Sequence, residues 1–212
     1  MRTITRLVAV MALAGTSGGC ALLTPFAVIG EHKERIAPEF DKLAGRRSAI
    51  LVWADAATLF DYPMARFELA TYIHDKLRDE MRSRELGIDL IDTRDVEDYI
   101  QQNPGAQVDP GMVGRNFKTD FVIYIELVEM QIRDPDQPQL LQGRIQALVQ
   151  VHDLRADPDV TNQYELTPVT VVYPERGPVM INATNSLNIR RMLYHKSAET
   201  IARKFYEHTI DM

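Results

Sequence analysis

SAILVWA, residues 48–54, restricts the fold more than any other stretch. It is an unbroken apolar run with β-branched and aromatic content, set between Arg46-Arg47 and Asp55. A strand that is apolar on both faces must be covered on both, so it belongs inside a layered structure. A loop, DAATLFDYP, follows, and Asp61 is placed to cap a helix with Pro63 in its first turn. Phe67, Ala70, Ile73 or His74, Leu77 and Met81 then recur at helical spacing to about Leu86, where Gly87 suits a left-handed cap. IDLID, residues 88–92, reads as a short second strand.

Asp92 or Thr93 caps the next helix, in which Val96, Tyr99 and Ile100 share a face until Asn103-Pro104-Gly105 stops it. Asp109-Pro110 opens another short helix that turns Met112, Val113 and Phe117 inward. Two long strands come next. In TDFVIYIELVEMQI, Phe121, Ile123, Ile125 and Leu127 alternate on one face, and the apolar phase then passes to Val128, Met130 and Ile132. A β-bulge produces such a phase change, and it would turn Glu126 and Glu129 the same way. After the turn DPDQPQ, GRIQALVQVHD sends Ile145, Ala147, Val149 and Val151 inward. Arg144, Gln146, Leu148, Gln150 and His152 face outward, a candidate partner surface. In YELTPVTVVY, Pro168 removes a ladder donor, which places that strand at a sheet edge. A last helix runs from Asn185 or Ser186 to about His208, with Tyr194, Ala198, Ile201 and Phe205 as its buried stripe. The order β-α-β-α-α-β-β-β-α predicts an α/β fold. Its mixed sheet of about five strands carries packed helices, with a parallel opening pair and a later antiparallel meander.

The N-terminus has a different character. MRTITR carries two arginines and no acid, LVAVMALAG is apolar, and TSGGC is small. That is the order of a secretory signal. Nine apolar residues rise only about 14 Å as a helix, roughly half a bilayer core, so the run is too short to span. Gly18-Gly19-Cys20 resembles the lipobox of bacterial lipoproteins, with Ser17 where leucine is usual. The resemblance implies cleavage before Cys20 and acylation of the cysteine, and a lone cysteine has no internal disulfide partner to occupy it. Ala21 after it implies, by the same resemblance, the periplasmic face of the outer membrane, and display at the cell surface is compatible with it. The chain thus divides into a signal peptide (1–19), a lipidated tether that docks partly on the domain (20–47) and a single α/β domain (48–212).

Cleavage leaves 212 − 19 = 193 residues and changes the formal charge from −6 to 22 − 30 = −8. Such acidity argues against a nucleic-acid partner, whose phosphates call for clustered lysine and arginine. The histidines (His32, His74, His152, His195, His208) lack metal-ligand spacing, and Asp153, Asp157 and Asp159 lack the glycine and distal glutamate of a calcium loop. No phosphate-binding loop or nucleophile elbow occurs. The expectation is therefore no catalytic residue, no metal and no cofactor. Trp53, Phe60 and Tyr62 could form an aromatic protein-binding cluster on the loop after the first strand; the competing reading places Trp53 in the core beneath that loop.

AILVWAD, then VGRNFKTDFVIYIELVEM, then AETIARKFYEHTIDM, together with their order, resemble a family of bacterial envelope lipoproteins with the anticodon-binding-domain-like fold. That group includes the curli secretion lipoprotein, the N-terminal domain of the Tol–Pal translocation protein and lipoprotein activators of penicillin-binding proteins. The similarity spans residues 48–208. Val113-Gly114 followed by Asp120-Phe121-Val122-Ile123 carries it, with Lys118-Thr119 standing where the family has a small pair. It implies a membrane-anchored, non-catalytic scaffold or regulatory module that binds an envelope protein or a second copy of itself. The alternative is a periplasmic domain holding a small ligand between the Trp53 loop and the helix around Met112.

Overall fold

The computed structural model describes residues 33–133, 137–155 and 162–211. Cys20, the signal segment, the first part of the tether, His32, Asp157 and Asp159 lie outside the described residues. Arg35–His208 is one compact unit. A two-stranded ribbon pairs β1 (Lys33–Ile36) with β8 (His208–Asp211).

The unit is α/β, built on a mixed sheet. SAILVWA lies in β2 (Arg47–Ala54), parallel both to β3 (Asp89–Leu90) and to β4 (Phe121–Arg133). β5 (Leu140–Asp153) and β6 (Asn162–Tyr173) extend the sheet antiparallel, giving the order β3-β2-β4-β5-β6. A sixth strand, β7 (Val179–Met180), pairs with the start of β5. The Pro168 strand is at the edge, as its missing N–H requires.

Alternation along β2 feeds two cores. Ile50, Val52 and Ala54 join a large core under α2 (Ala65–Ser83) and α5 (Ala183–Ala202), whereas Ala49 and Leu51 face α3 (Thr93–Gln102) and α4 (Pro110–Phe117). No residue of β5 or β6 belongs to the second core. On that side the helices cover β2 and the beginning of β4 and then stop. Segment 35–47 contributes as well: Phe40 and Leu43 are buried, and the Phe40 ring meets Phe121 edge-on at 5.3 Å.

Several local expectations need correction. DAATLFDYP is not a loop: α1 (Ala56–Asp61) begins there, and Asp55, not Asp61, is the cap, accepting the Thr58 N–H at 2.7 Å. Pro63 disfavours helical geometry at Tyr62, so the helix breaks and α2 restarts at Ala65 without a side-chain cap. The α2 stripe is Leu69, Ala70, Ile73, Leu77 and Met81, with Phe67 and His74 only half-buried. Its left-handed terminus is Glu85 (φ 59°), two residues ahead of Gly87. Leu86 N–H donates to Met81 and Glu85 N–H to Arg82, the paired closure of a Schellman cap. In β4 the bulge lies where the phase changes. Leu127 pairs with Ala147 and Glu129 with Gln146, so Val128 is the extra residue and points out to solvent rather than inward. The last helix ends at Ala202 and passes through a 3₁₀ turn (Arg203–Phe205) into β8. The Lys204 carbonyl accepts the Glu39 and Phe40 N–H groups at 2.8 and 3.0 Å, so the helix end is satisfied by segment 35–47 and does not continue.

Candidate functional site

Where α3 and α4 stop, no helix among the described residues covers the outer side of the sheet, and strand register sets its contents. Trp53, Glu126 and Leu148 form one row across β2, β4 and β5. The next row toward the helices is Leu51, Tyr124, Gln150 and Glu165, followed by Ala49, Val122, His152 and Gln163. Beyond Leu148, Glu129 pairs with Gln146 and Gln146 with Thr170; Gln131 pairs with Arg144 and Arg144 with Val172. The bulge at Val128 is what puts Glu126 and Glu129 on the same side. All five outward residues read from β5 therefore share this face, with Leu148 at its centre and 38 % exposed.

The aromatic trio does not assemble. Trp53 is half-buried and belongs to the outer face by alternation with Ala49 and Leu51. Tyr62 packs against the large core on the other side of the sheet. Phe60 projects from α1 at 86 % exposure. Tyr124 is the residue of this face that the sequence reading passed over, whereas Glu126 and Glu129 share a side as the bulge implies. Tyr124 lies out of phase with Ile123 and Ile125, which was the available signal for the opposite face.

The row at His152 marks the boundary between covered and open sheet. Its ring stands edge-on to Tyr124 at 6.0 Å. Its Nε2 is buried and finds no hydrogen-bond partner among the described residues. Burial holds the imidazole below its ordinary pKa, opposed by the Asp109 carboxylate at the start of α4. Tyr124 is pushed up by burial, with the Glu126 carboxylate adding to the shift. The other ionisable candidates are engaged elsewhere. Asp153 is buried against the Arg155 guanidinium at 2.7 Å, and His74 lies 3.1 Å from Asp75. Among the described residues no three His, Cys, Asp or Glu side chains gather as a metal set, and no helix is long and apolar enough to cross a membrane. The outer face therefore offers contact chemistry: a Trp–Tyr–Leu centre among amides, with Glu126, Glu129 and Glu165 against Arg144, a local balance of 1 − 3 = −2.

No protein-family model matches the chain, and no curated protein matches it. Solved structures that resemble it include lipoprotein GNA1162 from Neisseria meningitidis (15 % identity, 72 % of this chain and 98 % of that chain, TM-score 0.36). The PelC dodecamer from Paraburkholderia phytofirmans (8 %, 82 % and 98 %, 0.40) and the hypothetical protein CT253 from Chlamydia trachomatis (14 %, 74 % and 96 %, 0.38) also resemble it. The structures it resembles thus include bacterial lipoproteins. At these TM-scores the likeness bears on neither activity nor assembly.

Proposed function

We propose that this chain is a lipid-anchored protein of the bacterial envelope, held through Cys20 on the periplasmic face of the outer membrane. Its α/β domain has no catalytic role and binds another protein through the open half of its sheet. The observation that carries this reading is the uncovered row Trp53–Glu126–Leu148 with Tyr124 beside it. Large apolar side chains are set in a polar rim on a rigid scaffold, which is the composition of a protein contact. The excess of carboxylates favours a partner that presents basic groups. The partner is an envelope protein or a second copy of this chain.

Cross-linking in membranes followed by mass spectrometry tests the reading. The wild-type chain is expected to give a stoichiometric cross-linked species that Leu148→Glu abolishes. Leu148 is already exposed, so the variant should keep its thermal midpoint. An unchanged cross-linking pattern in Leu148→Glu would remove this face from the account. For the anchor, Cys20→Ser is expected to release the domain from the membrane fraction, and retention of an unmodified N-terminus in that fraction would contradict it.

A further inference from the structure

The sheet ends at β6, and the two halves of that strand have different surroundings. Thr167 N–H donates to the Glu39 carboxylate at 2.7 Å, and the Tyr164 ring stands 5.2 Å from Phe40 and 4.7 Å from Lys42 Nζ. Segment 39–42 therefore lies against the strand up to Thr167. Pro168 follows. Beyond it VTVVY, residues 169–173, has no strand on its outer side, and among the described residues none of its backbone groups hydrogen-bonds beyond β5. The edge strand of a stable monomer is ordinarily guarded by charge, proline or a bulge. Pro168 and the adjoining bulge guard one end here, but no charged residue occurs from Leu166 to Pro174. Val169–Val172 is a run of β-branched residues, which favours pairing.

A groove of about 480 Å³ accompanies this edge. The strand contributes 170–172, and α5 contributes one stripe at helical spacing, Lys196, Glu199, Thr200 and Arg203. The charges there are engaged with one another: Lys196 Nζ lies 2.5 Å from the Glu175 carboxylate, and the Arg203 guanidinium 2.6 Å from that of Glu199. Paired in this way, they hold no strong attraction for a charged small molecule. What the groove offers instead is the row of outward N–H and C=O groups of an extended strand. The ligand that satisfies such a row is another strand.

We infer that this edge pairs with the same edge of a second copy of the chain, antiparallel about a two-fold axis at Val171. Residues placed opposite each other then share a face: Val171 meets its own counterpart, Val169 meets Tyr173, and Thr170 meets Val172. Val169 and Val171 belong to the large core and Tyr173 packs against it, so apolar side chains continue that core across the axis. Thr170 and Val172, in register with Gln146 and Arg144, stay together on the outer face. The position of α5 fits as well. Ile189 and Leu193 stand against Gly143 of β5, and Val169 and Val171 of β6 are buried in the same core. With strands about 4.8 Å apart, a helix seated over the β5–β6 pair stands about 5 Å from the axis and about 10 Å from its counterpart, the ordinary spacing of packed helices. The Lys196–Arg203 stripe becomes the surface on which the two helices meet, and its internally paired charges set little repulsion between the copies. A foreign strand would satisfy the backbone but would bring no helix to that stripe. The interface is separate from the open face around Leu148 and does not depend on it.

Sedimentation equilibrium of the full mature chain carrying Cys20→Ser, with amide hydrogen exchange followed across a wide range of protein concentration, tests the pairing. A reversible dimer is expected, with exchange in residues 169–173 slowing as concentration rises. Thr170→Lys, which sets a charge on the edge, and Thr200→Arg, which sets a bulky cation on the helix stripe, should each weaken dimerisation about tenfold. Both positions are exposed, so the variants should fold, and an unaltered thermal midpoint checks that. Leu148→Glu should leave this dimer intact. A monomer at every concentration overturns the inference and leaves the edge to a foreign strand. Protection of 169–173 that does not vary with concentration also overturns it, by placing another segment of the same chain there. A dimer that Leu148→Glu abolishes and Thr200→Arg does not would put the contact on the open face and sink the pairing.

Discussion

Glu39 and Lys204 join the start of the compact unit to its last helix, and they offer a stringent test of where the domain begins. Glu39 Oε1 lies 2.7 Å from Lys204 Nζ, and Oε2 accepts the Thr167 N–H at 2.7 Å. The Lys204 side chain is 7 % exposed and that of Glu39 35 %. Breaking a fully buried pair from one side costs about 3–5 kcal/mol, because the survivor is a dry, unpaired charge. Water reaches Glu39, so Glu39→Gln is expected to cost about 2 kcal/mol. Lys204→Met should cost only about 1 kcal/mol, since methionine keeps the apolar stem and Glu39 retains Thr167 and solvent. The double variant should cost no more than Lys204→Met, a coupling of about 2 kcal/mol between the sites. The pH dependence follows. Burial raises the Glu39 pKa, but the Lys204 ammonium and the Thr167 amide outweigh it and hold it below the ordinary 4.5. A depressed carboxylate contributes stability that is fully present above the unfolded-state value and is lost as pH falls through the folded one. The gap between wild type and Glu39→Gln should therefore close on acidification below about pH 4.5. Urea unfolding of the four proteins at neutral and acidic pH measures all of this. Equal, additive costs for the two single variants would show that Lys204 is not held dry, and the reasoning would fail.

Other outcomes follow from the same geometry. His152 is depressed by burial, so the unfolded chain takes up its proton first and the fold loses stability as pH drops below about 6.5; His152→Gln should flatten the urea midpoint between pH 7.5 and 5.5. Glu85 and Lys118 adopt φ of 59° and 53°, and glycine at either should raise stability by about 0.5–1 kcal/mol, the left-handed penalty less the added chain entropy. At Gly143 a Cβ would stand 2.9 Å from Leu193 and 3.2 Å from Ile189, so Gly143→Val should lift α5 from β5 and cost about 2 kcal/mol by thermal denaturation.

The strands were legible because a period of two leaves little freedom. SAILVWA announces two covered faces, and GRIQALVQVHD announces one. The bulge could be located because an extra residue must invert the phase, but which residue it expels depends on pairing with a strand more than ten residues later. Val128 was accordingly assigned to the wrong side. Caps were harder to read. Asp55 and Asp61 are both acceptable cap residues, and only the break at Tyr62-Pro63 decides between them. Left-handed ends at Glu85 and Lys118 run against residue preference and are imposed by the packing of the following strand.

The two sides of the sheet also bear on how an open face survives in solution. On the large-core side every inward residue of β5 from Leu141 to Val151 is buried. On the outer side the same strand shows Arg144, Gln146 and Gln150, amide and charged groups that water can satisfy, with Leu148 breaking the pattern. A face built only for solvent would gain from a polar residue there, and a face built for a core would not carry two glutamines beside it. Leu148 next to Glu126 and Trp53 is instead an apolar centre small enough to leave the free domain soluble. A covering partner would bury it inside a rim of amides that keep hydrogen bonds in either state. Replacing Leu148 with glutamine should therefore leave unfolding within about 0.5 kcal/mol of wild type while lowering association, whereas Val149→Gln, one residue along and facing the core, should unfold the domain.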